Sequence, residues 1–167
     1  MRLRRLFVMA AVAAAAVIAN GCGFELRLTP EFRFRTIQLR GFADNSALAR
    51  ELKRSLAANP DTQVVESAAA AQVVLEALRD TREKVVVAST AAGQVREVQL
   101  RTRFNFRLRT ASGKELLAAT EILVVRDMSY NESSALAKEQ EEALLYTAMQ
   151  NDIVAQVMRR LAAVALP

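Results

Sequence analysis

From Val95 to Thr110 the chain alternates almost without interruption. Val98, Leu100, Phe104, Phe106 and Leu108 take even positions, while Gln99, Arg101, Arg103, Asn105, Arg107 and Arg109 take odd ones. Side chains along a strand point to opposite faces with period two, so this stretch is a long strand with one apolar and one charged face. It belongs in a sheet covered on one side and open on the other. Ala111-Ser112-Gly113-Lys114 then reads as a hairpin turn, and the chain returns through Leu116 to Val125 as a second strand.

The rest of the chain is organised around that hairpin. Arg35 to Arg40 alternates polar and apolar, which predicts a strand that Gly41 ends. Asp44, Asn45 or Ser46 can cap a helix whose Leu48, Leu52 and Leu56 recur every four residues, and Asn59-Pro60-Asp61 stops it. Gln63 to Glu66 is compatible with a short strand. Gln72 to Leu78 and Lys84 to Ala88 favour strand through their β-branched content, with a break expected near Asp80; Ala91 to Gln94 reads as a turn. From Ser133 onward Leu145, Met149, Ile153, Val157, Leu161 and Val164 form a helical stripe, with acids gathered toward its start and Arg159 and Arg160 toward its end. The order β-α-β-β-β-α predicts an α+β two-layer sandwich, two helices packed on a mostly antiparallel or mixed four-stranded sheet. No Pro/Gly-rich linker interrupts it, so residues 34–167 are expected to form a single domain.

The N-terminus has a different character. Arg2, Arg4 and Arg5 precede an apolar run from Leu6 to Ala19, about fourteen residues, which fits a secretory signal and falls short of the roughly 20 needed to span a bilayer. Ala19-Asn20-Gly21-Cys22 follows, with the only cysteine of the chain at its end. Small residues before a cysteine resemble the bacterial lipobox, although Ala19 stands where Leu is usual. The resemblance implies a lipoprotein signal peptide at residues 1–21 that is removed, lipidation at Cys22, and a tether over residues 22–33. At about 0.8 kcal/mol per buried CH₂, more than one acyl chain makes a stable anchor. Gly23, where Asp would retain the protein at the inner membrane, favours the outer membrane.

This leader also accounts for the charge. The whole chain carries 23 Lys+Arg against 18 Asp+Glu, a formal +5. The first 21 residues hold three arginines and no acid, leaving 20 basic residues against 18 acidic ones. An exported, nearly neutral protein is a poor nucleic-acid binder. Without histidine, Ser-His and Cys-His catalysis and the commonest zinc sites are excluded, and a lone cysteine excludes an internal disulfide. No cofactor and no metal site is expected.

Arg101, Arg103, Arg107 and Arg109 share one side of one strand, and Arg33, Arg35 and Arg40 extend the row if the first strand lies nearby. Guanidinium groups bind phosphate and carboxylate bidentately. Two readings of the row stand side by side: a solvated face paired with acids such as Glu115 and Glu121, or a contact surface for an anionic glycolipid or an acidic partner wall. Asp127, Glu132, Glu139 and Glu142 could supply acid–base pairs, but nothing in their spacing makes two of them converge, and the five glycines form no phosphate loop.

Several short motifs, in order along the chain, resemble the LPS-assembly lipoprotein LptE family. They are Cys22 to Arg27, Ala92-Gly93-Gln94 leading into Glu97 to Leu100, Thr120-Glu121-Ile122, Arg126-Asp127, Ser129-Tyr130-Asn131, Ala135 to Glu139, and Glu141-Glu142. The resemblance implies a lipoprotein that plugs the LptD outer-membrane β-barrel, one to one. It also implies help in assembling that barrel, passage of lipopolysaccharide to the outer leaflet, and non-covalent lipopolysaccharide binding. It implies two helices on a four-stranded sheet, and it makes Lys138 the basic position associated with lipopolysaccharide contact. A second basic position of the family, before the Gly-Gln turn, is occupied here by Ala91 and Ala92. Two rival readings are a lipoprotein scaffold of another envelope machine and a lipid-anchored enzyme, the latter disfavoured by the missing histidine.

Overall fold

The computed structural model describes residues 31–165. Among them are strands β1 (Thr36–Arg40), β2 (Gln63–Val64), β3 (Val73–Ser89), β4 (Val95–Thr110) and β5 (Glu115–Ser129), with helices α1 (Ala47–Ala57) and α2 (Ala135–Ala163). The sheet runs β2-β1-β3-β4-β5. β1 is parallel to both β2 and β3, while β3, β4 and β5 are antiparallel neighbours, so the sheet is mixed. The two helices cover one face.

Two expectations are corrected. The sheet has five strands where four were expected. The additional one is β2, which falls where Gln63 to Glu66 is compatible with a short strand but lies outside the count of four; it is two residues long and held by the Gln63 N–H on the Arg35 carbonyl (2.8 Å) and the Val65 N–H on the Ile37 carbonyl (2.9 Å). The break expected near Asp80 is absent, because β3 is one strand of 17 residues. Its register against β4 slips between Ala77 and Arg79, leaving Leu78 as an extra residue. Such a bulge moves every later side chain to the opposite face. Val73, Leu75 and Ala77 face the helices before it; Asp80, Arg82 and Lys84 do so after it, and the change of phase hides the continuous strand from a pattern search.

The core lies between the helices and the even side of β4. Val98, Leu100, Phe104, Phe106 and Leu108 are all buried, with Phe104 and Phe106 stacked at 5.3 Å and Phe42 added at 5.8 Å from Phe104. α1 contributes Leu48, Leu52 and Leu56, the spacing that places one face toward the sheet. Its N-cap is Ser46, whose hydroxyl accepts from the Ala49 N–H at 3.2 Å. α2 contributes Met149, Ile153, Val154, Val157, Met158 and Leu161, all in its C-terminal half; Leu136 and Leu144 in the N-terminal half are 72% exposed. At 1.5 Å per residue its 29 residues span about 43 Å. Gly41 ends β1 with φ +80°, and a Cβ there would collide with the Ala77 carbonyl oxygen, so both conformation and space demand glycine.

Candidate functional site

The odd side chains of β4 line up on the uncovered face, as their period requires. Arg40 of β1, Glu76 of β3 and Arg107 of β4 are direct cross-strand neighbours. The Arg107 Nε and an Arg109 guanidinium nitrogen both donate to Glu76 Oε2 at 2.8 Å. The Arg107 hydrogen bond, helped by the charges of Arg107, Arg109 and Arg40, holds the Glu76 carboxyl below its ordinary range despite an opposing desolvation effect. Arg103 pairs with Glu121 at 2.7 Å. Arg101 donates from Nε to the Gln99 side-chain oxygen at 2.8 Å, and the Gln99 amide in turn donates to Asp127 at 2.8 Å. Three of the four arginines therefore have carboxylate partners, and Arg101 forms no ion pair among the described residues. Glu121 is a partner expected from sequence. Glu115 lies opposite Arg109 in register without pairing, and the acid that holds Arg107 and Arg109 is Glu76. Only the β3–β4 register, which the sequence pattern leaves unassigned, could have found it.

Lys138 stands at the end of this line. Asp127 and Ser129 are alternate residues of β5 and share a face. The Lys138 Nζ donates to the Ser129 hydroxyl at 3.2 Å and to Glu141 at 2.7 Å, with only 18% of its side chain exposed. The asparagine before α2 organises this corner: Asn131 Oδ1 accepts from the Ser133 N–H at 3.0 Å and so starts the turn Glu132–Ser134 that feeds the helix. A second lysine, not singled out by sequence, belongs to the same corner. Lys84 pairs with Glu142 at 2.6 Å and sits 5.4 Å from the centre of the Tyr130 ring. Its hydrogen bond to Glu142 raises its pKa above the usual lysine range, over a smaller desolvation effect. Arg82 lies 5.3 Å over the Tyr146 ring, and burial lifts the Tyr146 hydroxyl's pKa.

The acids singled out from sequence are dispersed: Asp127 is bound to Gln99, and Glu142 to Lys84. Among the described residues no group of three or more His, Cys, Asp or Glu could hold a metal ion, and no helix is long and apolar enough to cross a membrane. Cys22 and the leader lie outside the described residues. What the site offers is a row of cations along one sheet face, from Arg109 to Arg101, with Lys138 bound to Ser129 two residues along β5 from the Asp127 that Gln99 holds. At about 3.3 Å per residue, Gln99 to Arg109 alone spans roughly 33 Å. The chemistry available is multivalent anion recognition.

A two-layer α+β domain of this kind is shared with bacterial lipoproteins of known structure. The chain resembles lipoprotein B of Nitrosomonas europaea with TM-score 0.72 and 29% identity, over 84% of this chain and 91% of that one. The rare lipoprotein B of Shewanella oneidensis (TM-score 0.66, 24% identity, 77% and 95% covered) and a minor lipoprotein of Acinetobacter baumannii (0.66, 21%, 82% and 100%) share the fold. None of the curated proteins matches. The family model of LptE, described as lipopolysaccharide-assembly, matches residues 34–161. The chain belongs to the LptE family, whose members are non-enzymatic lipoproteins of lipopolysaccharide assembly.

Proposed function

We propose that this protein is an outer-membrane lipoprotein, anchored through Cys22 after removal of residues 1–21, that plugs an LptD-type β-barrel and binds lipopolysaccharide without covalent chemistry. Family membership supports the assembly role. The observation that carries the binding role is the line of cations on the uncovered sheet face, ending at Lys138. The lumen of an outer-membrane barrel is polar, so a charged face is a suitable surface for a plug, whereas an apolar one is not.

The mechanism is exchange of anions. Phosphate offers guanidinium the same bidentate geometry as carboxylate and carries more charge. Arg101, lacking a carboxylate, makes first contact; Arg103 and Lys138 then trade Glu121 and Glu141 for glycolipid phosphates, in competition with divalent cations. Affinity purification of the lipidated protein from outer membranes tests the partner assignment. A large barrel protein is expected at near-equal stoichiometry. Recovery of the lipoprotein without any barrel, or with the components of a different envelope machine, would overturn the plug reading.

A further inference from the structure

At the end of the uncovered face away from Lys138, three arginines surround one acid. Arg40, Glu76 and Arg107 stand in register on β1, β3 and β4, and Arg109 follows Arg107 on the same side of β4. Neighbouring strands lie about 4.8 Å apart, so Arg40 and Arg107 flank Glu76 with their backbones about 10 Å from each other. Glu76 does not satisfy them. Its Oε2 alone accepts from both the Arg107 Nε and the Arg109 guanidinium, so neither arginine meets the carboxylate with both prongs of its fork. Arg40 is exposed and makes no hydrogen bond or ion pair among the described residues, although its charge acts on Glu76. The Arg109 Nε is buried without a partner. Glu115, opposite Arg109 in register, acts on Arg107 through charge alone, which leaves three cations against two acids.

Each guanidinium has five N–H donors, and these three arginines together use two of them on Glu76. A planar carboxylate has two oxygens to share among them. A phosphate monoester has three outward oxygens in a tetrahedral spread and more charge, so it can bridge all three guanidiniums at once. The four residues from Arg103 to Arg107 cover about 13 Å of strand, so one phosphate cannot occupy this cluster and the exchange site of Arg103 together. We propose that Arg40, Arg107 and Arg109 form a separate seat for a phosphate monoester, in which Glu76 is the resident anion that the phosphate displaces. The seat rests on the reading of this face as an anion-recognition surface, but it uses neither Lys138 nor Arg101 and Arg103. Displacement has a signature that a structural ion pair lacks: removing the acid strengthens anion binding.

The test titrates the full chain in detergent with inorganic phosphate and, in a second arm, with lipid A in micelles. Arg40→Gln is expected to weaken phosphate binding about tenfold, the loss of one charge-assisted hydrogen bond. Glu76→Gln is expected to tighten it about fivefold by removing the competing charge. Lys53→Gln, which takes away a cation of α1 that pairs with Glu66, is expected to leave it unchanged. Because Arg40 is exposed and unpaired, its variant tests the seat independently of any effect of Glu76→Gln on folding. In the lipid A arm, a matching loss with Arg40→Gln assigns the seat to a glycolipid headgroup, and a loss confined to inorganic phosphate assigns it to the free anion. No phosphate binding by the parent, binding undiminished in Arg40→Gln, binding weakened by Glu76→Gln, or an equal loss in Lys53→Gln would each overturn the proposal. Should any of these come with lipid A binding that still falls in Lys138→Asp, the seat fails while the reading of the face stands.

Discussion

Arg103 and Phe104 are joined by one peptide bond and face opposite problems. Phe104 is wholly buried between Phe42 and Phe106 under the helices, where a missing atom leaves a void in a close-packed interior. Arg103 lies on the uncovered face, paired with a Glu121 that is itself 39% exposed, where water can replace either partner. The same contrast holds along the whole of β4, and it separates what keeps the domain folded from what the domain presents to others. One face is specified by shape, and the other by charge that can be rearranged at little cost.

The largest effect should come from the covered face. Phe104→Ala is expected to cost about 3–5 kcal/mol in denaturant unfolding, whereas Arg103→Ala should cost less than about 1 kcal/mol. Similar losses from the two would break the comparison. Gly41→Ala is expected to cost about 1–3 kcal/mol, because it adds a Cβ against the Ala77 carbonyl in a left-handed conformation; an unchanged melting temperature would contradict that close approach of Gly41 to β3.

Smaller effects should be found among the charges. Glu76→Gln leaves Arg107 and Arg109 without their acid and is expected to cost about 1 kcal/mol at neutral pH. Because the folded pKa of Glu76 lies below its ordinary 4.5, this contribution is present in full above that value and fades as pH falls through the lowered one. The difference between parent and variant should therefore shrink in acid, and a gap that widened there would contradict the ladder. Asp80 has the opposite sign. It is solvent-accessible yet crowded beneath the helix layer, and loss of solvation raises its pKa against the counter-effects of Arg82 and the Ser46 hydroxyl. A raised carboxyl favours folding only while protonated, so its favourable share is lost as pH rises through the folded value. Asp80→Asn should slightly raise the melting temperature at pH 7 and lose that advantage in acid.

Much of this was legible in advance because β4 carries its own geometry. Sixteen residues of nearly unbroken alternation identify the strand, its two faces and the arginine row without knowledge of its neighbours. The Leu48, Leu52 and Leu56 spacing does the same for α1. Features that depend on a neighbour were hidden. β2 is only suggested by Gln63 to Glu66; its place in the sheet comes from the carbonyls of Arg35 and Ile37. The continuity of β3 is masked by Leu78, whose bulge swaps faces in mid-strand. Glu76 and Lys84 were missed for the same reason, since each acquires its role from a partner on another element, Arg107 and Arg109 in one case and Glu142 in the other. Lys138 was found by family resemblance, but nothing in the sequence pattern shows that its ammonium rests on Ser129 at the end of the arginine row.

The claim that the uncovered face is the recognition surface is tested most directly by lipopolysaccharide pull-down of the full chain carrying Lys138→Asp and Arg101→Glu, with barrel co-purification followed in parallel. The expected result is a strong loss of lipopolysaccharide retained on the protein, with the barrel still recovered at the parental ratio. Undiminished lipopolysaccharide retention by the double variant would contradict the assignment of that face.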